Sequence, residues 1–73
     1  MGKLRVLSGQ ETCAILERHG FVRVRQSGSH VIMQRVVAGQ TTTVPVPDHK
    51  ELRIGTLRSI IRQSGLARSE FEV

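Results

Sequence analysis

Three histidines are the side chains expected to exchange protons near neutral pH, and His30 has the most suggestive position of the three. It follows the run Ser27-Gly28-Ser29, in which Gly28 would let a polymer backbone approach closely because it has no side chain. Arg25 and Arg35 lie on either side of this run in the sequence. A histidine beside a bare turn and two cations is suited to contact a phosphodiester. One histidine near a glycine is a weak motif, so a structural or purely binding role stays open.

The other two histidines have simpler interpretations. His19 falls in the last turn of a predicted helix, where histidine commonly hydrogen-bonds the final carbonyls or interacts favourably with the helix dipole. A structural role is therefore predicted for His19. His49 lies in a loop before Lys50, where it could position a phosphate or be an ordinary surface residue, and both alternatives stay open.

Metal and nucleotide chemistry have little support in the residue pattern. The chain has one cysteine, no two histidines at ligand spacing and no run of carboxylates, whereas a two-metal nuclease needs several converging carboxylates. It also lacks a Walker loop and a G-x-G-x-x-G segment. We therefore expect no metal and no other cofactor.

The composition favours a polyanionic partner. Eleven Lys and Arg against six Asp and Glu give a net charge of +5 and a pI near 11.2, which is typical of a nucleic-acid-binding domain. A solvated basic surface and a surface matched to an acidic protein are the alternatives. With no Trp, no Tyr and two Phe, a base-stacking platform is not expected. A chain of 73 residues predicts one domain over 1–73 with a thin core, which favours a shallow surface site.

Two helices flank the segment that contains these residues. Ser8 and Glu11 form a capping-box pattern that predicts a helix over 9–19, followed by Gly20 at the left-handed C-terminal position. A second helix is expected to open at Gly55-Thr56 and to close at Gly65, with a short turn of helix in the tail.

Three strands are predicted between the helices, at residues 21–26, 30–37 and 41–46. Alternation predicts that Val22 and Val24 face the core, and Pro45 and Pro47 are expected to end the last strand. Short turns between the strands predict an antiparallel meander. The fold class is therefore α+β, α-β-β-β-α, with both helices on one face of the sheet, which is the architecture of the double-stranded-RNA-binding domain.

A cytoplasmic protein is expected from two further features. Cys13 is the single cysteine, so no internal disulfide can form. No stretch approaches the roughly 18 apolar residues of a membrane span, and the first nine residues lack the apolar region of a signal peptide.

The sequence resembles the HicA toxins, the ribonuclease half of HicA–HicB toxin–antitoxin pairs. Three pieces match in order over about residues 6–66. They are the helix end at Gly20-Phe21, the turn Gly28-Ser29-His30, and a long run comprising Val44-Pro45, His49, Lys50-Glu51-Leu52 and Gly55-Thr56-Leu57-Arg58-Ser59-Ile60-Ile61-Arg62-Gln63-Ser64-Gly65-Leu66.

The resemblance implies a double-stranded-RNA-binding-like fold, endonucleolytic cleavage of messenger RNA and inhibition by a HicB antitoxin. The catalytic histidine of the family follows the Gly-Ser of the hairpin, which corresponds to His30. The family often has a second histidine directly after it, where this chain has Val31. The RNA contacts that we predict around His30 are Gly28, Ser29, Arg25, Arg35 and Lys50.

Two other functions compete with a ribonuclease. One is a non-catalytic RNA-binding module of the same fold, in which His30 only contacts a phosphate. The other is an interaction protein whose basic face docks an acidic partner. Binding of RNA without cleavage would favour the first, and no affinity for RNA at low salt would favour the second.

Overall fold

A computed structural model describes residues 2–73, and it confirms the predicted order of elements. Helix α1 spans Gly9–Arg18 and helix α2 spans Ile54–Ser64. The strands are β1 (Val22–Ser27), β2 (His30–Val37) and β3 (Gln40–Pro47), and a 3₁₀ turn over Arg68–Phe71 follows α2.

Helix α1 begins at the predicted capping box. The Ser8 hydroxyl accepts a hydrogen bond from the Glu11 N–H at 3.0 Å, and the Ser8 N–H donates to the Glu11 carboxylate at 2.9 Å. This second bond lowers the pKa of Glu11 below its ordinary value. Gly20 has a φ of 90°, as predicted for the residue that ends this helix, and Phe21 then turns back into the core.

The strands form one antiparallel sheet in the order β1-β2-β3. Val31 and Met33 of β2 and Val44 and Val46 of β3 are buried against the helices, while the intervening residues are more accessible. The sheet therefore has a helix-covered face and an open face, which confirms the predicted two-layer α-β-β-β-α architecture.

The buried core joins the covered face of the sheet to both helices and to the chain ends. Its members are Leu7, Cys13, Ile15, Leu16, Phe21, Val31, Met33, Val44, Val46, Leu52, Leu57, Ile60 and Phe71. Burial raises the pKa of the Cys13 thiol, so this side chain acts as a small apolar residue. Within residues 2–73, none of the helices has the length and hydrophobicity needed to span a bilayer.

The predicted alternation of strand β1 is wrong. Val22 and Val24 are 57% and 45% exposed rather than buried. Arg23 pairs with Met33 and Arg25 pairs with the next residue of β2, Ile32, so Val24 is an extra residue in a β-bulge. The bulge breaks the two-residue period and puts both valines outside the core.

The prediction that prolines end strand β3 is confirmed for Pro47 and is wrong for Pro45, which lies inside the ladder. Pro45 pairs with Ile32, and Pro47 pairs with His30 at the end of the ladder. Strand β3 lies at the edge of the sheet, where a residue without an N–H is tolerated if that position faces away from the neighbouring strand. The strand consequently reaches the residues around His30 instead of stopping before them.

Candidate active site at the start of strand β2

His30 is the first residue of β2 and lies on the open face of the sheet. Its backbone pairs with Ser27 of β1 on one side and with Pro47 of β3 on the other. Since Val31 faces the helices, its neighbour His30 faces the opposite way, and its side chain is exposed. Within residues 2–73, the imidazole makes no side-chain hydrogen bond or ion pair, so both ring nitrogens are accessible to a ligand.

The turn before His30 leaves the backbone bare, as predicted. Gly28 has a φ of 58°, a left-handed conformation that favours glycine, and a Cβ built there would have no neighbour within 4 Å. The Gln26 side chain donates to the Gly28 carbonyl at 3.3 Å. Gly28 and Ser29 therefore form a low, exposed surface directly beside the imidazole.

Arg25 lies on the same face as His30 because of the β1 bulge. It pairs with Ile32, two residues after His30 on the open face, whereas His30 pairs with Ser27. Diagonal neighbours of this kind lie about 7–8 Å apart, within reach of a long side chain. Arg25 is exposed, and it forms no ion pair or side-chain hydrogen bond within residues 2–73. The structure thus brings this predicted contact to His30.

The loop after β3 is attached to the same turn. The Asp48 N–H donates to the Ser29 carbonyl at 2.7 Å. The next two residues, His49 and Lys50, are exposed. The predicted contact Lys50 therefore lies in a loop that begins at the His30 turn, and the His49 side chain is solvent-accessible there.

A polar network that the sequence did not predict holds this loop against α1. The Gln10 side chain donates to the Asp48 carboxylate at 3.0 Å and accepts from the Arg23 guanidinium at 2.8 Å. The Gly9 N–H donates to the His49 carbonyl at 2.8 Å. No local motif signals these contacts, because Gln10 and Asp48 are 38 positions apart. The network fixes the loop that is bonded to the His30 turn through the Asp48 N–H and the Ser29 carbonyl.

Arg35 is not brought to His30. It pairs with Thr42 on the helix-covered side, and its guanidinium donates to the carbonyls of His19 at 3.1 Å and Ser64 at 3.4 Å. The guanidinium carbon also lies 4.8 Å from the centre of the Phe21 ring. These contacts connect both helices to the sheet, so Arg35 has a structural role in the fold.

His19 has the structural role that its position predicts, with a different partner. It is the C-terminal cap of α1, and its Nε2 lies 2.9 Å from a Glu70 carboxylate oxygen. This contact joins the end of α1 to the 3₁₀ turn.

The site thus combines an accessible imidazole, a nearby free guanidinium and a bare turn. In the part of the chain that the structure describes, no three His, Cys, Asp or Glu side chains converge as metal ligands. An imidazole can exchange a proton with a bound ligand, and a guanidinium can stabilise negative charge on it. The arrangement suits acid–base chemistry on an anionic polymer at the protein surface.

The fold and site define a small basic α-β-β-β-α domain with a surface-exposed histidine site. Its relationship to known proteins comes from a family model described as the HicA toxin of bacterial toxin–antitoxin, which matches residues 9–66. The chain therefore belongs to the HicA toxin family of bacterial toxin–antitoxin systems, and this family implies an antitoxin partner. No curated protein matches the chain significantly.

Proposed function

We propose that this protein is a metal-independent endoribonuclease toxin that cleaves messenger RNA with His30 as its catalytic residue. The observation that carries the proposal is the position of His30, exposed on the open face beside the bare Gly28-Ser29 turn and diagonal to Arg25. Membership of a toxin family supports a harmful activity, and a surface site suits a polymer.

RNA supplies its own nucleophile in this mechanism. His30 removes the proton from a 2′-hydroxyl, whose oxygen attacks the adjacent phosphorus while the bond from phosphorus to the 5′-oxygen breaks. The leaving 5′-oxygen takes a proton from water or from protonated His30. The products are a 2′,3′-cyclic phosphate and a 5′-hydroxyl, so no metal-bound water is required.

Cations near His30 stabilise the negative charge that develops on the phosphate. Arg25 shares its face, and Lys50 lies in the loop attached to Ser29. Gly28 and Ser29 allow the RNA backbone to approach. DNA has no 2′-hydroxyl and is not cut by this route.

A HicB-type antitoxin is the partner that we propose for the inhibited state. The open face carries apolar side chains along the length of the sheet, from the partly accessible Ile32 two residues after His30 to Val22 and Val36, which are 57% and 67% exposed further along. A protein that buries these side chains would also cover His30 and block access of RNA.

Replacement of His30 tests the catalytic proposal. We expect His30→Ala to slow cleavage of a purified RNA by about 10²–10⁴-fold, which is the usual contribution of a general acid or base. His19→Gln is the matched control, since Gln can still donate to Glu70, and we expect it to cleave at the wild-type rate. Cleavage by His30→Ala at the wild-type rate would remove His30 from the mechanism.

The chemical structure of the RNA product ends tests whether the 2′-hydroxyl is the nucleophile. Mass spectrometry should detect 2′,3′-cyclic phosphate ends in reactions that contain a chelator, and a 2′-deoxy substitution at the cleavage site should block the cut. A requirement for a divalent ion would contradict the proposal. Binding of RNA by the wild-type protein without any cleavage would indicate a non-catalytic RNA-binding module instead.

A further inference from the structure

Helix α2 carries positive charge that the site around His30 does not use. Between Leu52 and Ser69 the sequence contains four arginines and no aspartate or glutamate. Arg53, Arg58 and Arg62 lie at the start of α2 or on it, and all three are exposed. The helix therefore presents unopposed cations to solvent.

These arginines are also free of acidic partners. Within residues 2–73, none of the three forms an ion pair, and their one side-chain hydrogen bond joins Arg62 to the neutral Ser59 hydroxyl at 3.2 Å. By contrast, Arg23 and Arg68 are paired with glutamates. The charges of the α2 arginines remain available to an external anion.

Arg58 and Arg62 lie one helical turn apart on the same side of α2. Their spacing of four residues corresponds to about 6 Å along the helix axis. The side chains that α2 buries, Leu57, Ile60 and Ser64, occupy another side of the helix. Arg58 and Arg62 thus form a short row, and Arg53 lies at the N-terminal end of the helix.

The row extends away from the end of the sheet that carries His30. Strand β3 ends at Pro47, which pairs with His30, and the connector from there leads into α2. At the other end of α2, the Ser64 carbonyl accepts from Arg35, which lies five residues beyond His30 on β2. His30 faces the open side of the sheet and α2 packs on the covered side, with β3 as the edge strand between them. An RNA strand cut at His30 would therefore pass around the β3 edge and then run from the start of α2 towards its end.

We infer that Arg53, Arg58 and Arg62 form a second contact surface for RNA, which binds phosphates away from the cleaved bond. The inference rests on the proposed function for the identity of the polyanion. An acidic protein fits this surface less well, because protein interfaces are depleted of charge at their centre and Ile54 is the one large apolar side chain exposed on α2. Arginine contacts to phosphate, in contrast, require only free guanidinium groups.

A matched pair of charge variants tests this surface. The test variant is Arg58→Gln with Arg62→Gln, and the control is Lys3→Gln with Arg18→Gln, which removes the same two charges from exposed positions elsewhere. Both are made in the His30→Ala protein, so that binding of a 20-nucleotide single-stranded RNA can be measured without cleavage. Dissociation constants are determined over a series of salt concentrations.

The salt dependence distinguishes a specific contact from a general loss of charge. We expect the slope of log K against log salt to fall by about 1.4 for the test variant, since each phosphate contact to a single strand contributes about 0.7. The control variant should keep the slope of the parent His30→Ala protein. In the His30-containing protein, the ratio of kcat/KM for a long RNA over that for a dinucleotide should fall roughly tenfold in the test variant only.

Two outcomes would overturn the inference. One is an equal slope in the test and control variants. The other is weaker binding of polyglutamate by the test variant with unchanged binding of RNA, which would assign the surface to an acidic protein. Binding is measured without cleavage, so the two proposals can fail separately. If the His30-containing protein does not cut RNA while the test variant still lowers the salt slope, the proposed catalysis is refuted and this surface stands.

Discussion

Three arginines of strands β1 and β2 show that one residue type has different roles on different faces of the sheet. Arg23 contacts Gln10 and Glu17 of α1, while Arg25 is free on the open face. Arg35 is largely enclosed between Phe21 and two helix-end carbonyls, and its Nε is buried without a hydrogen-bond partner. Of the three, only Arg25 is suited to bind a substrate beside His30.

Exchange of Arg35 and of Arg25 for methionine separates the structural role from the binding role. Arg35→Met removes the two hydrogen bonds to carbonyls and the contact with the Phe21 ring. We expect it to lower the free energy of unfolding by about 1–3 kcal/mol, measured by urea denaturation, and to leave RNA affinity unchanged. Arg25→Met should weaken RNA binding and leave the free energy of unfolding unchanged. Weaker RNA binding by Arg35→Met at full stability would contradict this assignment.

At the scale of elements, the site depends on how closely the start of α1 approaches the end of β3. A Cβ on Gly9 would overlap the Pro47 carbonyl oxygen, an approach closer than real Cβ atoms make. The Gly9 N–H donates to His49, and Gln10 binds Asp48. The helix therefore supports the segment that pairs with His30.

Two glycines at the starts of helices provide a matched test of this packing. Gly9→Ala should destabilise the protein by about 1–3 kcal/mol, because the added methyl group forces the backbone of β3 away. Gly55→Ala has nothing within 4 Å of its Cβ and should be neutral or stabilise by up to about 1 kcal/mol. Thermal unfolding followed by circular dichroism measures both, and equal stability of the two variants would argue against the close approach.

At the scale of the whole molecule, residues outside the family match of 9–66 complete the core. Leu7 and Phe71 are 1% and 0% exposed. The Arg5 N–H donates to the Phe71 carbonyl at 2.9 Å, and Leu4 forms an isolated β-bridge with Glu72. The two ends of the chain are thus joined to each other and to the core.

Truncation of Phe71 tests the contribution of the chain ends. Phe71→Ala leaves a cavity in the core and should lower the free energy of unfolding by about 3–5 kcal/mol. Val73→Ala removes a side chain that is 85% exposed and should change the stability by less than about 0.5 kcal/mol. Chemical denaturation of both variants is the measurement, and a small effect of Phe71→Ala would show that residues 9–66 form an adequate core alone.

Local features of the sequence determined the elements and the position of His30 within them. The Ser8–Glu11 capping box, Gly20 after α1 and Gly65 after α2 each depend on residues within a few positions, so their outcomes follow from the sequence alone. The start of β2 at His30 was predicted for the same reason, because Gly28 can adopt the left-handed turn before it.

Tertiary structure decided which side chains share the face of His30. The β1 bulge rotates Arg25 to the open face, and packing against α1 and Phe21 draws Arg23 and Arg35 away. The contact between Gln10 and Asp48 joins positions 38 apart and appears only when α1 packs against β3. Alternation and local motifs extend over a few residues, whereas the register of the sheet and the packing of the helices select neighbours from the whole chain.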